Sequence, residues 1–174
     1  MKSSIRLERI MISEVPRPWV MDLSGTVSSG LGRAHVFMAQ PHYQDQFRAI
    51  LGNTAWPGTL NMNIDDAMFG HYIALRQKAG IDTLDAPQAD RERAKDLNVD
   101  AYEGIRIRGF LRDGVSFGGA TAFKGTIHHD GQTVNCAVLI PDLTRHVDVV
   151  EVISTAFLRE HLQLNDGDRI TISL

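Results

Sequence analysis

From Gly104 to Leu174 the chain runs as a succession of short, alternating apolar segments, each closed by a turn signal, and this constrains the fold more than any other feature. Ile105 to Leu111 alternates along its whole length, which predicts one strand. Asp113-Gly114 and Asp130-Gly131 are two-residue hairpin signals, because a type I′ turn needs positive φ at both central positions. Phe117 to Phe123, Thr126 to His129, Val134 to Ile140 and Val149 to Ser154 predict further strands. Ala156 to His161 predicts a short helix, and Asp166-Gly167-Asp168 turns the chain into a last strand, Arg169 to Leu174. Many short strands with little helix between them predict a mainly β fold. A closed barrel is expected rather than an open sheet, since closure leaves no unpaired edge.

The first hundred residues join this framework less evenly. Residues 1–20 read as an N-terminal tail, with Pro16 and Pro18 deterring regular structure. Trp19 to Val27 has strand spacing and is broken by Ser28-Ser29-Gly30-Leu31-Gly32; His35 to Met38 reads as a second short strand. Pro41 opens a helix whose Tyr43, Phe47, Ile50 and Leu51 share one face, and Gly52 ends it. After Pro57-Gly58, Thr59 to Ile64 alternates as a strand, with Leu60, Met62 and Ile64 on one face and Thr59, Asn61 and Asn63 on the other. Residues 65–103 read as an insertion on the β framework, not a second domain. Tyr72 to Ala79 is its helix, Gly80 the stop, and Asp85 to Asp100 a charged loop. The expected domain is therefore residues 21–174.

A domain of this size can hold a core without a metal or disulfide staple. The 43% hydrophobic and 22% charged content suits a globular protein, and a net charge of −3 gives no overall attraction to nucleic acid. The single cysteine, Cys136, permits no internal disulfide; set in Val134 to Ile140, it is expected to be a buried strand residue. No apolar run approaches a membrane span and the charged N-terminus is unlike a signal peptide, so a cytoplasmic protein is expected.

Three segments have the residue types for chemistry. Ser28 to Arg33 carries two glycines that let consecutive N–H groups turn onto an anion, and Arg33 adds a charge, although such spacing is also common in plain turns. Thr59 and Asn61 point the same way from one strand, as two hard oxygens suited to magnesium or as a plain polar face. Asp65 and Asp66 beyond them read as a solvated helix start. Thr144 to Ile153 places His146, Asp148 and Glu151 near one strand. An unpaired carboxylate at Glu151 would be costly in that apolar setting, so a functional or a hydrogen-bonded structural role fits equally. His128 and His129 are adjacent on a strand and face opposite ways, which argues against a shared metal.

In order, Gly25 to Gly32, Leu51-Gly52, Trp56 to Asn61, Phe117-Gly118, Ile140-Pro141, Thr144-Arg145-His146, Val150 to Ile153, Leu158-Arg159 and Asp166 to Asp168 resemble the CTP-dependent riboflavin kinase family. The resemblance spans residues 22–174 apart from the insertion. It implies a six-stranded cradle-loop (RIFT-like) β-barrel that transfers the γ-phosphoryl group of CTP to the terminal ribityl hydroxyl of riboflavin, giving FMN and CDP. By position it implies a nucleotide site at Leu31, Gly32, Arg33, Ala34, His35 and Val36, closed from the other side by Ala156, Phe157, Leu158 and Arg159. It implies Mg²⁺ on Thr59 and Asn61, riboflavin at Thr144 and Glu151, and Glu151 near the reacting hydroxyl. The partners it implies are riboflavin and CTP, with no nucleic acid and no membrane. Where the family continues its loop with Gly-Glu-Gly, this chain has Gly32-Arg33-Ala34. The residues alone also fit a kinase of another small alcohol, or a flavin- or nucleotide-binding barrel without turnover.

Overall fold

The computed structural model describes residues 21–30, 34–144 and 147–174. The expectations for the tail, for Leu31, Gly32 and Arg33 and for Arg145 and His146 fall outside the described residues. Six antiparallel strands close a ring: β1 (Asp22–Ser28), β2 (Leu60–Ile64), β8 (Val149–Ile153), β7 (Gln132–Pro141), β6 (Ala120–His129) and β9 (Arg169–Ser173), which returns to β1. Closure comes from β6 against β9, with Thr126, Ile127 and His128 opposite Ser173, Ile172 and Thr171. A short β3 (Ile105–Ile107) pairs with the first half of β6, and β4 (Phe110–Arg112) and β5 (Val115–Phe117) form a separate two-stranded hairpin.

Period-two alternation decides which residues fill the barrel. Leu23 and Val27 of β1, Leu60, Met62 and Ile64 of β2, Val150 and Val152 of β8, and Ile170 and Ile172 of β9 belong to one buried cluster. Cys136 lies in the same cluster, and burial pushes its thiol pKa up to about 12. The outward residues of β6, β7 and β8, among them Ala120, Ala122, Ala137, Leu139 and Ile153, form a second cluster with Tyr43, Phe47 and Ile50 of a helix packed on the barrel's outer wall. That helix, α2 (Pro41–Leu51), begins with proline and ends at Gly52, whose φ of 82° and N–H bond to the Arg48 carbonyl make the C-terminal cap. Both Asp-Gly hairpins form as expected, with φ of 51° and 76° at Asp113-Gly114 and 51° and 77° at Asp130-Gly131.

Four sequence expectations are corrected. His35 to Met38 is not a strand but part of a short helix, α1 (Ala34–Met38). Its backbone bonds locally, Ala39 N–H to the His35 carbonyl, and among the described residues no strand pairs with it. Ile105 to Leu111 is two strands, β3 and β4, in different sheets. The break falls at Gly109, where a Cβ would collide with the Phe117 carbonyl, so the chain can turn there only without a side chain. Phe117 to Phe123 is likewise divided at Gly118-Gly119, while 123 to 129 continues unbroken as β6, the turn following only at Asp130-Gly131. Within the charged stretch 85–100, Gln88–Lys95 is a helix, α4. Only its Ala94 is buried, so it has no apolar stripe to announce it; Pro87 precedes it and Gln88 bonds Glu92 one turn on.

The 65–103 segment belongs to the same core. Its principal helix, α3 (Phe69–Lys78), is buried on almost every side, and Phe69, Tyr72, Ile73 and Leu75 join the barrel's interior cluster. The Tyr72 hydroxyl donates to the Val149 carbonyl at 3.3 Å, and its burial pushes its pKa up to about 12. Asp65, at the start of the segment, is bidentate to Arg169 at 2.6 and 2.5 Å, which holds its carboxyl below the usual range.

Candidate active site

The outward face of β2 and β8 carries the candidate residues. Asn61 sits opposite Ser28 of β1 on one side and Glu151 of β8 on the other, so register alone brings the glycine loop, the polar strand face and the carboxylate together. The Thr59 hydroxyl donates to Asn61 Oδ1 at 3.1 Å. Gly30 lies against the Asn61 amide so closely that a Cβ at position 30 would overlap it. Absence of a side chain there lets the loop backbone approach the polar pair.

Two cavities meet at Thr59. The smaller, about 130 Å³, is lined by Trp56, Thr59, Ser154, Ala156, Phe157 and Arg159 among others. The larger, about 580 Å³, lies between the barrel's outer wall and the layer made by α1, α2 and the β4–β5 hairpin. Tyr43, Phe47, Phe117 and Leu139 give it apolar walls, and Thr59, Thr144 and Glu151 supply polar groups. No residue of the 65–103 segment lines either one.

The frame is held by long-range polar contacts. Gln44 of α2 donates to the Met38 carbonyl at 2.8 Å and the Ala55 carbonyl at 3.1 Å, and accepts from Ala55 N–H at 2.9 Å. Trp56 N–H bonds the Ser154 carbonyl at 2.8 Å, so the Trp56-Pro57-Gly58-Thr59 run is fixed between α2 and the end of β8. His35 Nδ1 donates to the Pro57 carbonyl at 2.8 Å, which fixes its tautomer because a carbonyl can only accept. Across the smaller cavity, Trp56 and Phe157 stack at 4.5 Å with planes 19° apart. Phe110 and Phe117 stack at 4.5 Å and 4° beside the larger one, and Tyr43 donates to the Gly118 carbonyl at 2.5 Å.

Arg159, on the short helix α5 (Leu158–His161), donates to the Ser28 carbonyl at 3.1 Å and to Asp166 Oδ1 at 2.7 Å. The Ser29 hydroxyl donates to Asp166 Oδ2 at 2.5 Å. These two donors, Ser29 first and then Arg159, hold the Asp166 carboxyl below the usual range.

From residue 27 to its end the chain is similar to one family of domains. The family model CTP-dep_RFKase, described as "Domain of unknown function DUF120", matches residues 27–91 and 82–174. The chain belongs to this family. Curated relatives of this CTP-dep_RFKase member include a riboflavin kinase of Thermoplasma acidophilum, 31% identical over 152 residues, covering 87% of this chain and 56% of the relative. A riboflavin kinase of Haloquadratum walsbyi is 34% identical over 157 residues, covering 89% and 57% respectively. One of Methanoculleus marisnigri is 34% identical over 153 residues, covering 87% and 56%. The chain thus spans a little over half the length of the curated relatives it matches.

Within this family member, the residues expected at the site divide between the cavities. Ala34, Thr144 and Glu151 line the larger, Ala156, Phe157, Leu158 and Arg159 the smaller, and Thr59 both. Asn61 is tied to Thr59, and His35 to the Pro57 turn, while Val36 is 62% exposed. Sequence reasoning missed the aromatic walls. Tyr43 and Phe47 carried the signal of an ordinary core face, which they also are, and nothing local distinguishes a helix face that meets a cavity from one that meets solid core. It gave no role to Asp166, which it read as part of a turn and of one segment of the resemblance.

Proposed function

We propose that this chain is the catalytic domain of a CTP-dependent riboflavin kinase, forming FMN and CDP from riboflavin and CTP. The observation that carries this reading is the shared wall at Thr59. A small cavity edged by an arginine and an aromatic stack adjoins a larger, aromatic-walled one that holds a carboxylate, as transfer between a nucleotide and a flat, mostly apolar alcohol requires. Membership of the family, and the names of its curated relatives, support riboflavin as acceptor; the family's name supports CTP as donor.

Thr59 and Asn61 suit Mg²⁺. Their oxygens are 3.1 Å apart, and adjacent ligands of an octahedron with bonds of about 2.1 Å lie about 3 Å apart. When bound there, Mg²⁺ supplies charge neutralisation to the transferring phosphate. The protein's own residues do the positioning. The Ser28–Gly30 stem and Arg159 flank the phosphates, and the Tyr43 and Phe117 walls hold the flavin ring and exclude water. Glu151 orients the terminal hydroxyl and accepts its proton as that oxygen bonds to the γ-phosphorus and the bond to the β-phosphate oxygen breaks.

The test is an assay of purified protein with riboflavin and Mg²⁺, offering CTP, ATP, GTP and UTP separately and resolving FMN from riboflavin by chromatography. FMN formed chiefly with CTP is expected. FMN formed with another nucleotide would keep the kinase and discard the donor; none with any donor would overturn the reading.

A further inference from the structure

A carboxylate outside both cavities ties Arg159, on the wall of the smaller one, to the stem of the glycine loop. Asp166 sits in the turn before β9, and this turn is rigidly joined to β1: Gly167 N–H bonds the Val27 carbonyl at 2.8 Å, and Val27 N–H the Asp168 carbonyl at 2.8 Å. From that anchor one Asp166 oxygen accepts from Ser29, at the stem of the glycine loop, and the other from Arg159, which lines the smaller cavity. Arg159 also reaches the Ser28 carbonyl and lies 3.5 Å from Ser29 Oγ. A guanidinium on a long side chain keeps considerable rotamer freedom unless it is held, and that freedom is lost on meeting a phosphate. Here it is held before any ligand arrives.

We infer that Asp166 is a positioning residue for nucleotide binding, presetting Arg159 and the Ser28–Gly30 stem so that a polyphosphate meets them already aligned. The inference rests on the nucleotide site of the proposed function but not on the acceptor or on turnover. Asp166 itself touches no substrate. Its carboxylate opposes phosphate charge only weakly, because it is solvent-exposed, screened by salt, and already matched by Arg159. The gain from alignment therefore outweighs the repulsion. Sequence position conceals this role, since an acidic residue before Gly-Asp reads as turn chemistry alone.

The test is titration calorimetry of CTP and CDP with Mg²⁺, and separately of riboflavin, on the full chain. Asp166→Ala is expected to weaken nucleotide binding about 10-fold through loss of two charge-assisted contacts, and Asp166→Asn, which keeps an acceptor, only about 3-fold. Riboflavin affinity and melting temperature should stay as in the wild type. In an Arg159→Ala background Asp166→Ala should cost clearly less than in the wild type, keeping only the share carried by Ser29, which a general loss of fold would not reproduce. The inference is overturned by unchanged nucleotide affinity in Asp166→Ala, by parallel losses for both ligands with a lowered melting temperature, by additivity of the two substitutions, or by a wild-type chain that binds neither nucleotide. Nucleotide binding that depends on Asp166 in a protein that makes no FMN would sustain it while discarding the kinase.

Discussion

The two faces of strand β2 differ in everything but backbone. Leu60, Met62 and Ile64 point into the barrel, where Met62 is wholly buried among the interior cluster. On the other side Thr59, just before the strand, lines both cavities, and Asn61 accepts from it and sits opposite Glu151 of the next strand. One face therefore serves the core, and the other carries residues of the proposed site. The pleat separates them so completely that each can be altered with little effect on the other. The larger cavity lies on the barrel's outer wall, roofed by α2 and the β4–β5 hairpin.

The sharpest way to break this comparison is to cross the measurements. Met62→Ala removes buried volume with no nearby space to collapse into, and is expected to cost about 2–5 kcal/mol in denaturant unfolding. Any protein that remains folded should still bind nucleotide. Asn61→Ala should do the reverse, lowering turnover about 100-fold by removing a metal-suited oxygen, while stability moves by about 0.5 kcal/mol or less. Equal damage to stability and activity in both variants would end the division of labour between faces.

Phe117→Ala sharpens the contrast on the cavity's roof. It removes a ring stacked on Phe110 and should weaken riboflavin binding about 3–10-fold, leaving nucleotide affinity as it was. The last expectation is an alkaline one, without effect at neutral pH. Cys136 and Tyr72 are both held protonated by burial, each with its pKa raised to about 12 from ordinary values of 9.0 and 10.0. The unfolded chain then releases these protons first, so their contribution is fully present below about pH 9 and is lost as pH rises towards 12. Denaturant midpoints measured across that window should fall, and a Tyr72→Phe variant should show a shallower decline.

Much of this was legible in the sequence because it is local. Hairpin turns at Asp113-Gly114 and Asp130-Gly131 depend on two residues each, and the alternation from Leu60 to Ile64 sorts its own side chains. The resemblance, resting on short segments in order, located most of the candidate site before any geometry was known. The errors fell where local pattern has two outcomes. His35 to Met38 is apolar enough for a strand, yet among the described residues no strand pairs with it, and it folds as a helix. Gln88 to Lys95 is polar enough for a loop, yet holds its own hydrogen bonds and packs one alanine. Gly109 breaks an alternating run because the Phe117 carbonyl, distant in sequence until the hairpin closes, occupies the space of a side chain.

By itself, then, the sequence determined a β-rich chain with sorted strand faces, its turns, its buried cysteine and the family to which it belongs, since each follows from short-range pattern or from motifs in order. Only the tertiary structure decided that Thr59 divides two cavities, that Tyr43 and Phe117 roof one of them, and that Asp166 joins Ser29 to Arg159. Those facts depend on segments distant in sequence, 137 residues apart for Ser29 and Asp166, meeting around a closed ring. Side-chain periodicity says which way a residue points; what stands opposite it is fixed only when β6 pairs with β9 and the ring closes.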